Sequence, residues 1–223
     1  MGEKKTKSET GETGWVKIIA PYRNGDNLHS WWQIANTLIP YIALWVLMVY
    51  SLKSSYWITL PLIILSSGFL VRLFIIFHDC GHGSFFESKR LSEAVGYFLG
   101  VLTFTPYHRW HHSHLIHHRT VGNLDKRGIG DVWTLTVAEY KALPAKKQLY
   151  YRIYRNPWIM FGIGAAGMFL ISNRFTRKSF SRKEKMSIYF NNFGIAVLAA
   201  VLCYTIGWKA YLLIQLPVMY LAS

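Results

Sequence analysis

The chain has 223 residues, a formal net charge of +14 and 52% hydrophobic residues. Its basic residues lie in blocks between apolar stretches long enough to cross a bilayer, a division that excludes a soluble basic protein and a nucleic-acid partner. With only two cysteines, the sequence also excludes a disulfide framework and a zinc ribbon.

The N-terminal segment, residues 1–30, is predicted to be a cytoplasmic tail. It begins with polar and basic residues and contains no apolar core of the kind found in signal peptides. We therefore expect a retained, disordered tail.

Two continuous apolar stretches follow the tail. Residues 31–52 and 56–77 each have about the 20 residues that a helix needs to cross the hydrocarbon core. The polar turn Lys53-Ser54-Ser55 separates them. They are predicted to form the first transmembrane hairpin.

Residues 78–156 contain most of the histidines and form the predicted histidine-box region. Within it, the interrupted apolar residues 91–107 predict a helix that lies in the membrane interface, and residues 137–155 predict an amphipathic basic helix. Residues 157–172 are apolar but short, which is typical of an interfacial segment that does not cross.

The C-terminal part predicts a second hairpin. Residues 187–206 form the third span, and a turn at Gly207 leads into a fourth span, 208–223, that is incomplete where the sequence stops. The predicted fold is an all-α integral membrane domain over residues 31–223, in which two hairpins support a helical cap that bears the histidines.

The distribution of Lys and Arg predicts the orientation. Five precede Trp31, eleven lie between His78 and Pro157, and six lie between Arg174 and Lys185, whereas the two hairpin turns hold one each. By the positive-inside rule, the N-terminus and the histidine-rich region are cytoplasmic, and the protein crosses the membrane several times.

Six of the nine histidines lie between residues 108 and 118. At about 100° per residue on a helix, His114, His117 and His118 share a face with His111, while His108 and His112 lie further round. His78 and His82 are four residues apart, so on a helix their rings also point the same way. Two such stripes predict a polyhistidine metal site.

The number of imidazoles favours two metal ions over one. Neutral imidazoles suit iron, zinc, copper and nickel, and five of them exceed a tetrahedral zinc site. The spacing of His78 and His82 also matches the HExxH motif of zinc proteases, although Asp79 would replace the glutamate base. A lone histidine such as His29 is expected to have no role in the site.

The histidine motifs resemble those of one family. His78-Asp-Cys-Gly-His82 resembles the first box, HxxxH, of the integral-membrane fatty acid desaturases, and His114-Leu-Ile-His117-His118 resembles their second box, HxxHH. His108-Arg-Trp-His111-His112 also fits HxxHH, but the family places a tryptophan like Trp110 four residues before its first ligand, which selects His114. The stretch 122–136 resembles the methyl-end, acyl-lipid branch, particularly its bacterial members.

This resemblance implies a function and a site. The expected reaction is the oxygen-dependent introduction of a cis double bond into the acyl chain of a membrane lipid, with O2 as co-substrate. Two iron ions would be held by five histidines: His78, His82, His114, His117 and His118. Whether His111 is a ligand stays open. A hydroxylase or ketolase of the same superfamily, or an inactive metal-binding membrane protein, would share these features.

The resemblance also implies partners. Two of the four electrons that reduce O2 to water must come from an external donor such as ferredoxin, since the sequence has no haem-binding or flavin motif. The basic surface around Lys126, Lys146, Lys147, Arg152 and Arg155 suits an acidic donor, and it equally suits anionic lipids.

One departure from the family concerns a third histidine box, which the family has after its fourth span. The sequence ends at Ser223 without it. We therefore expect a truncated chain, whose catalytic activity on its own is in doubt.

Overall fold

The computed structural model describes residues 25–128 and 130–223. The expected tail falls mostly outside these residues. Nine α-helices lie within the described part of the chain, and none of its residues is in a β-strand. In chain order they are α1 (Asn27–Ser51), α2 (Tyr56–His82), α3 (Lys89–Leu102), α4 (Tyr107–Thr120), α5 (Val137–Ala142), α6 (Ala145–Tyr154), α7 (Ala165–Leu170), α8 (Arg182–Ile206) and α9 (Trp208–Ala222).

Three of these helices, α1, α2 and α8, are long and apolar enough to cross a membrane. Large apolar side chains remain exposed along them, such as Trp57 on α2 and Phe193 on α8. Such exposure suits a hydrocarbon environment, because a soluble protein rarely exposes so much contiguous apolar surface. The predicted all-α membrane fold is confirmed.

Helix α1 begins at Asn27, four residues before the predicted start of the first span. The Asp26 side chain accepts hydrogen bonds from the backbone N–H groups of Leu28 and His29, which otherwise have no partner within the helix. Ser30, expected in the tail, is buried because its hydroxyl donates to the carbonyl of Phe85. Residues 27–30 are therefore helical, and the prediction of a tail was wrong for them.

The helices pack as two hairpins. Helices α1 and α2 are joined by the turn 52–55, and α8 and α9 by Gly207, which has a φ of +86° that favours glycine. Helix α9 lies against α2, where Ser67 donates a hydrogen bond of 3.2 Å to the carbonyl of Val218. The buried core between them includes Leu73, Ile214 and Val218.

Between the hairpins, α3 and α4 cover the end of α2. The ring of Tyr107 on α4 lies against Gly96 of α3, and its hydroxyl donates a 2.9 Å hydrogen bond to the carbonyl of Cys80 on α2. Helix α4 is also tied to α8, because the hydroxyl of Ser187 accepts a 3.0 Å hydrogen bond from the backbone N–H of His108. Elements from both hairpins thus fix the position of α4.

Two predicted segments differ in detail. The single basic helix expected over 137–155 is two helices, α5 and α6, because Pro144 cannot continue the hydrogen-bonding pattern of α5. The apolar stretch expected to lie in the interface forms a π-helical segment, Trp158–Gly164, followed by the six-residue α7. Its location in the interface stays a prediction.

We predict that Gly96→Ala destabilises the protein by about 1–3 kcal/mol, the usual cost of overpacking a core. A Cβ at this position would lie 2.2 Å from the Tyr107 ring, which is itself held by Cys80. Thermal unfolding of the detergent-purified protein measures the effect. Gly68→Ala is the matched control, because its Cβ would meet nothing within 4 Å; equal melting temperatures for the two variants would contradict the prediction.

Candidate metal centre

Helix α2 places the first histidine pair. It continues from its apolar stretch through His82 and ends at Gly83, whose φ of +68° is the left-handed conformation typical of a helix C-terminus. His78 and His82 lie one turn apart on its last turns, and their Nε2 atoms are 3.3 Å from each other. The predicted second span is therefore one helix with the first histidine pair.

Helix α4 brings the second group of histidines to the same point. The Nε2 atom of His114 lies 2.9 Å from that of His78, 3.2 Å from that of His82 and 2.9 Å from that of His118. One ring nitrogen from each of the four histidines lies within 4.8 Å of all the others. Four of the five predicted site histidines are thus brought together.

Hydrogen bonding among the four rings cannot account for this cluster. A neutral imidazole Nε2 either donates one hydrogen or accepts at one lone pair, so that of His114 can bond to only one of its three neighbours. Nitrogen ligands of one metal ion lie at distances from each other that are similar to these Nε2–Nε2 distances. Metal–nitrogen bonds of about 2.1 Å place neighbouring nitrogens about 3.0 Å apart at right angles and about 3.4 Å apart in a tetrahedron. The donor set therefore fits a metal ion.

The protonation state of His114 also suits metal binding. Partial burial, followed by repulsion from His78 and His118, lowers the pKa of His114 to about 4. Its ring is therefore neutral near pH 7 and offers a lone pair.

His117, the fifth predicted ligand, lies beside this group. Its ring centroid is 6.2 Å from that of His114, and its Nδ1 atom is 2.6 Å from the carboxylate of Asp131. His117 does not belong to the cluster of four nitrogens. Its assignment as a metal ligand stays a prediction.

Three other histidines of α4 lie outside the cluster. His108 pairs with Glu93 of α3 at 2.8 Å, and His112 pairs with Glu184 of α8 at 3.1 Å. His111 stacks at 6.2 Å on the ring of Tyr107. The carboxylates that face His108 and His112 give these histidines a role in helix packing. Sequence spacing did not predict the contact of either histidine with its glutamate.

The carboxylate of Asp79 lies beside the first histidine pair. Its Oδ1 is 3.0 Å from Nδ1 of His78, on the side of the ring away from the shared nitrogens. A zinc protease would need a carboxylate near the open side of the metal to act as base. This geometry disfavours the protease interpretation of the His78–His82 motif.

Aromatic rings lie against the histidines on the side of the apolar part of α2. The Trp110 ring stacks on His114 at a centroid distance of 4.3 Å and an angle of 18°, and it lies 5.5 Å from His78. Gly81 makes room for it, since a Cβ there would lie 2.8 Å from the ring. In the sequence, Trp110 was singled out only by the family resemblance. Gly81, a glycine between the two histidines of one helix, could have indicated that a large ring packs there.

A cavity of about 210 Å³ lies next to this aromatic layer, beside the apolar part of α2. Leu70, Val71 and Phe74 of α2 line it, together with Phe169 and Met219. The Phe74 ring contacts Trp110 edge-on at 5.9 Å. One apolar wall therefore leads from the spanning part of α2 to the ring that supports His114.

Comparison with known proteins places these features in a family. The family model described as fatty acid desaturase matches residues 54–223. A fatty acid desaturase of Bacillus subtilis is 48% identical over 208 residues, which cover 93% of this chain and 59% of that protein. An sn-1 acyl-lipid omega-3 desaturase (ferredoxin) of Nostoc is 34% identical over 99 residues, 43% of this chain and 27% of that protein.

A further relative, an endoplasmic reticulum omega-3 fatty acid desaturase of Vigna radiata, is 35% identical over 132 residues, which cover 56% of this chain and 34% of that protein. No solved structure matches the chain. The chain spans 59% of the Bacillus relative and about a third or less of the other two.

We predict that the purified chain binds a divalent transition metal and that His114→Ala reduces its affinity by at least 100-fold, beyond the ~10–100-fold typical of a lost supporting contact. His114 contacts all three other histidines of the cluster. Titration with Co²⁺, followed by absorption, measures the affinity. His112→Ala changes a histidine of the same helix outside the cluster, and an equal loss in both variants would refute the assignment.

The stability of the metal-free protein should fall as the pH falls from 6.5 towards 4. In this range an unfolded His114 binds a proton at its ordinary pKa of 6.5, whereas the folded ring, with a pKa of about 4, does not. Acid therefore favours the unfolded state. Thermal unfolding at several pH values should give a flatter profile for His114→Gln; a profile as steep as that of the wild type would contradict this origin.

Proposed function

The chain belongs to the fatty acid desaturase family, and from this premise we propose that it is an oxygen-dependent acyl desaturase that introduces a cis double bond into a lipid-linked chain through a histidine-ligated di-iron centre. The observation that supports this most directly is the cluster of four imidazole nitrogens where a membrane-spanning helix meets α4. Four neutral nitrogen donors at one point suit a transition metal such as iron.

In this proposal, the four clustered histidines and His117 hold the iron ions. Bound iron supplies the activation of O2 that removal of hydrogen from unactivated methylenes requires, and O2 leaves as two waters. The protein holds the ring nitrogens in place and neutral. Carboxylates at Nδ1 of His78 and of His117 accept hydrogen bonds, which directs the Nε2 lone pairs towards metal.

The aromatic layer has two tasks in the proposed reaction. Phe77 is fully buried and lies 4.9 Å from Trp110, which in turn stacks on His114. These rings exclude water from the membrane side of the histidines. They also offer an apolar wall, continuous with the cavity at Phe74, along which an acyl chain can approach from the bilayer.

The proposed substrate is an acyl chain linked to a membrane lipid. The Nostoc relative and one from Synechocystis are named as acyl-lipid desaturases. The cavity lies beside α2, a helix long and apolar enough to cross a membrane, and is lined mainly by apolar side chains. A chain still attached to its headgroup can reach such a cavity without leaving the bilayer.

The proposed electron donor is a ferredoxin, which both of these relatives' names include. The substrate gives two of the four electrons that O2 needs, so a donor must give the other two. Exposed basic residues surround the histidine region and suit a small acidic protein, namely Lys126, Lys146, Lys147, Arg152 and Arg155.

The proposed orientation places the histidines on the cytoplasmic side of a multi-pass protein. The excess of Lys and Arg on that side of the spans supports it. A donor such as ferredoxin would then have direct access to the histidine region from the cytoplasm.

Expression of the complete gene in a host whose lipids are saturated, with iron and a ferredoxin system, should give unsaturated chains. His78→Ala or His117→Ala should reduce the product below detection because each removes a proposed iron ligand. His29→Ala is the control, since that ring is exposed and pairs with Asp26. Gas chromatography with mass spectrometry measures the products.

The alternatives give different products in the same experiment. A hydroxylated or oxo chain would replace the desaturase proposal by a hydroxylase or ketolase. Unchanged lipids, with iron bound and the donor present, would indicate a metal-binding membrane protein without activity. Retained desaturation in either ligand variant would refute the assigned site.

A further inference from the structure

The segment after α4 turns back and contacts the histidine face of that helix. Asp131 lies in this segment, and its carboxylate Oδ1 is 2.6 Å from Nδ1 of His117, 14 residues earlier in the chain. The Asp131 side chain is only 17% exposed. The contact is short and largely shielded from solvent, unlike an incidental surface pair.

Gly130 allows this approach. Its φ is +79°, and a Cβ at this position would lie 2.9 Å from Cβ of His117 and 3.0 Å from the carbonyl oxygen of Ser113. A larger residue would clash with α4 and strain the backbone. The glycine thus brings the neighbouring aspartate close enough to reach His117.

Hydrogen bonds further along hold the segment itself. The backbone N–H groups of Trp133 and Leu135 donate to the hydroxyls of Tyr154 and Tyr151 at 3.3 and 3.2 Å. The Trp133 ring packs on that of Tyr151 at 5.0 Å. Asp131 therefore projects from a segment that is anchored to α6, a helix distant in sequence from the histidines.

The contact determines which ring nitrogen of His117 carries the proton. An ionised carboxylate can only accept a hydrogen bond, so Nδ1 of His117 must donate. In a neutral imidazole that leaves the lone pair on Nε2, the atom available to a metal. Without the carboxylate, the ring could rotate or carry its proton on Nε2, which would remove the ligand.

We propose that Asp131 is a positioning residue that fixes the tautomer and orientation of His117, and that Gly130 is required for this contact. The inference rests on the proposed metal centre, in which His117 is a ligand. A simple structural role, in which the pair only attaches the segment to α4, predicts lost stability on removing Asp131 but no change in the tautomer preference of His117 while the protein stays folded.

The test compares variants of the metal-free chain labelled with 15N-histidine, in detergent micelles. The His117 signals are identified by their loss in His117→Gln. In the wild type, the ring nitrogen shifts should report a proton on Nδ1. Asp131→Ala should move that proton towards Nε2, whereas Asp131→Asn, whose amide oxygen still accepts, should keep it on Nδ1.

Asp125→Ala is the matched control because it removes an acidic side chain from the same segment, and no contact of the Asp125 carboxylate with His117 occurs among the described residues. It should leave the His117 signals unchanged. Gly130→Ala should resemble Asp131→Ala. If Asp131→Ala does not fold, the wild-type spectrum alone still decides, since a proton on Nε2 of His117 would overturn the proposal.

Metal titration then separates this inference from the proposed function. Asp131→Ala should reduce Co²⁺ affinity about 10–100-fold and have no further effect in a His117→Ala background. Equal affinity in Asp131→Ala and Asp125→Ala, together with weaker binding in His117→Ala, would overturn the positioning role alone. A wild-type chain that binds no metal would overturn the metal centre and the positioning role together.

Discussion

Four imidazole nitrogens make more close contacts with one another than hydrogen bonds between the rings can account for, and the surrounding helices must hold them there. His114 alone has three Nε2 neighbours between 2.9 and 3.2 Å away. Burial and mutual repulsion keep its ring neutral, as its pKa of about 4 indicates. Without a bound metal, this arrangement has a free-energy cost that the packing of α2, α3 and α4 must offset.

The support for the cluster comes from both hairpins. Tyr107 ties α4 to the carbonyl of Cys80 between the first two histidines, and Trp110 fills the space that Gly81 leaves open. On the other side, Glu184 caps the start of α8 and pairs with His112 of α4. This carboxylate thus connects α8 to the histidine helix, so the histidine cluster and the long apolar helices form one packed unit.

Much of the architecture could be predicted from the sequence, because spans and histidine stripes follow simple periodicities. Boundaries were less predictable where polar residues prolong an apolar helix. Helix α8 starts at Arg182 rather than 187 because Ser181 and Glu184 form a capping box within a basic run. Spacing along two helices predicted two histidine stripes, and the family resemblance selected His78, His82, His114 and His118 among the predicted ligands that the structure brings together. The contact between His117 and Asp131 could not be predicted, since a loop conformation, set by Gly130, brings the two residues together.

Because α2 is one continuous helix from the cavity to the histidines, it fixes the distance between them. Leu70 lines the cavity and His78, eight positions later, belongs to the cluster, so at 1.5 Å per residue the helix fixes a separation of about 12 Å between them. One inserted residue would lengthen that distance by about 1.5 Å but would also turn the histidines by about 100°. The distance between the cavity and the histidines can therefore change through the size of the side chains that line the cavity, whereas the length of the helix itself must stay fixed.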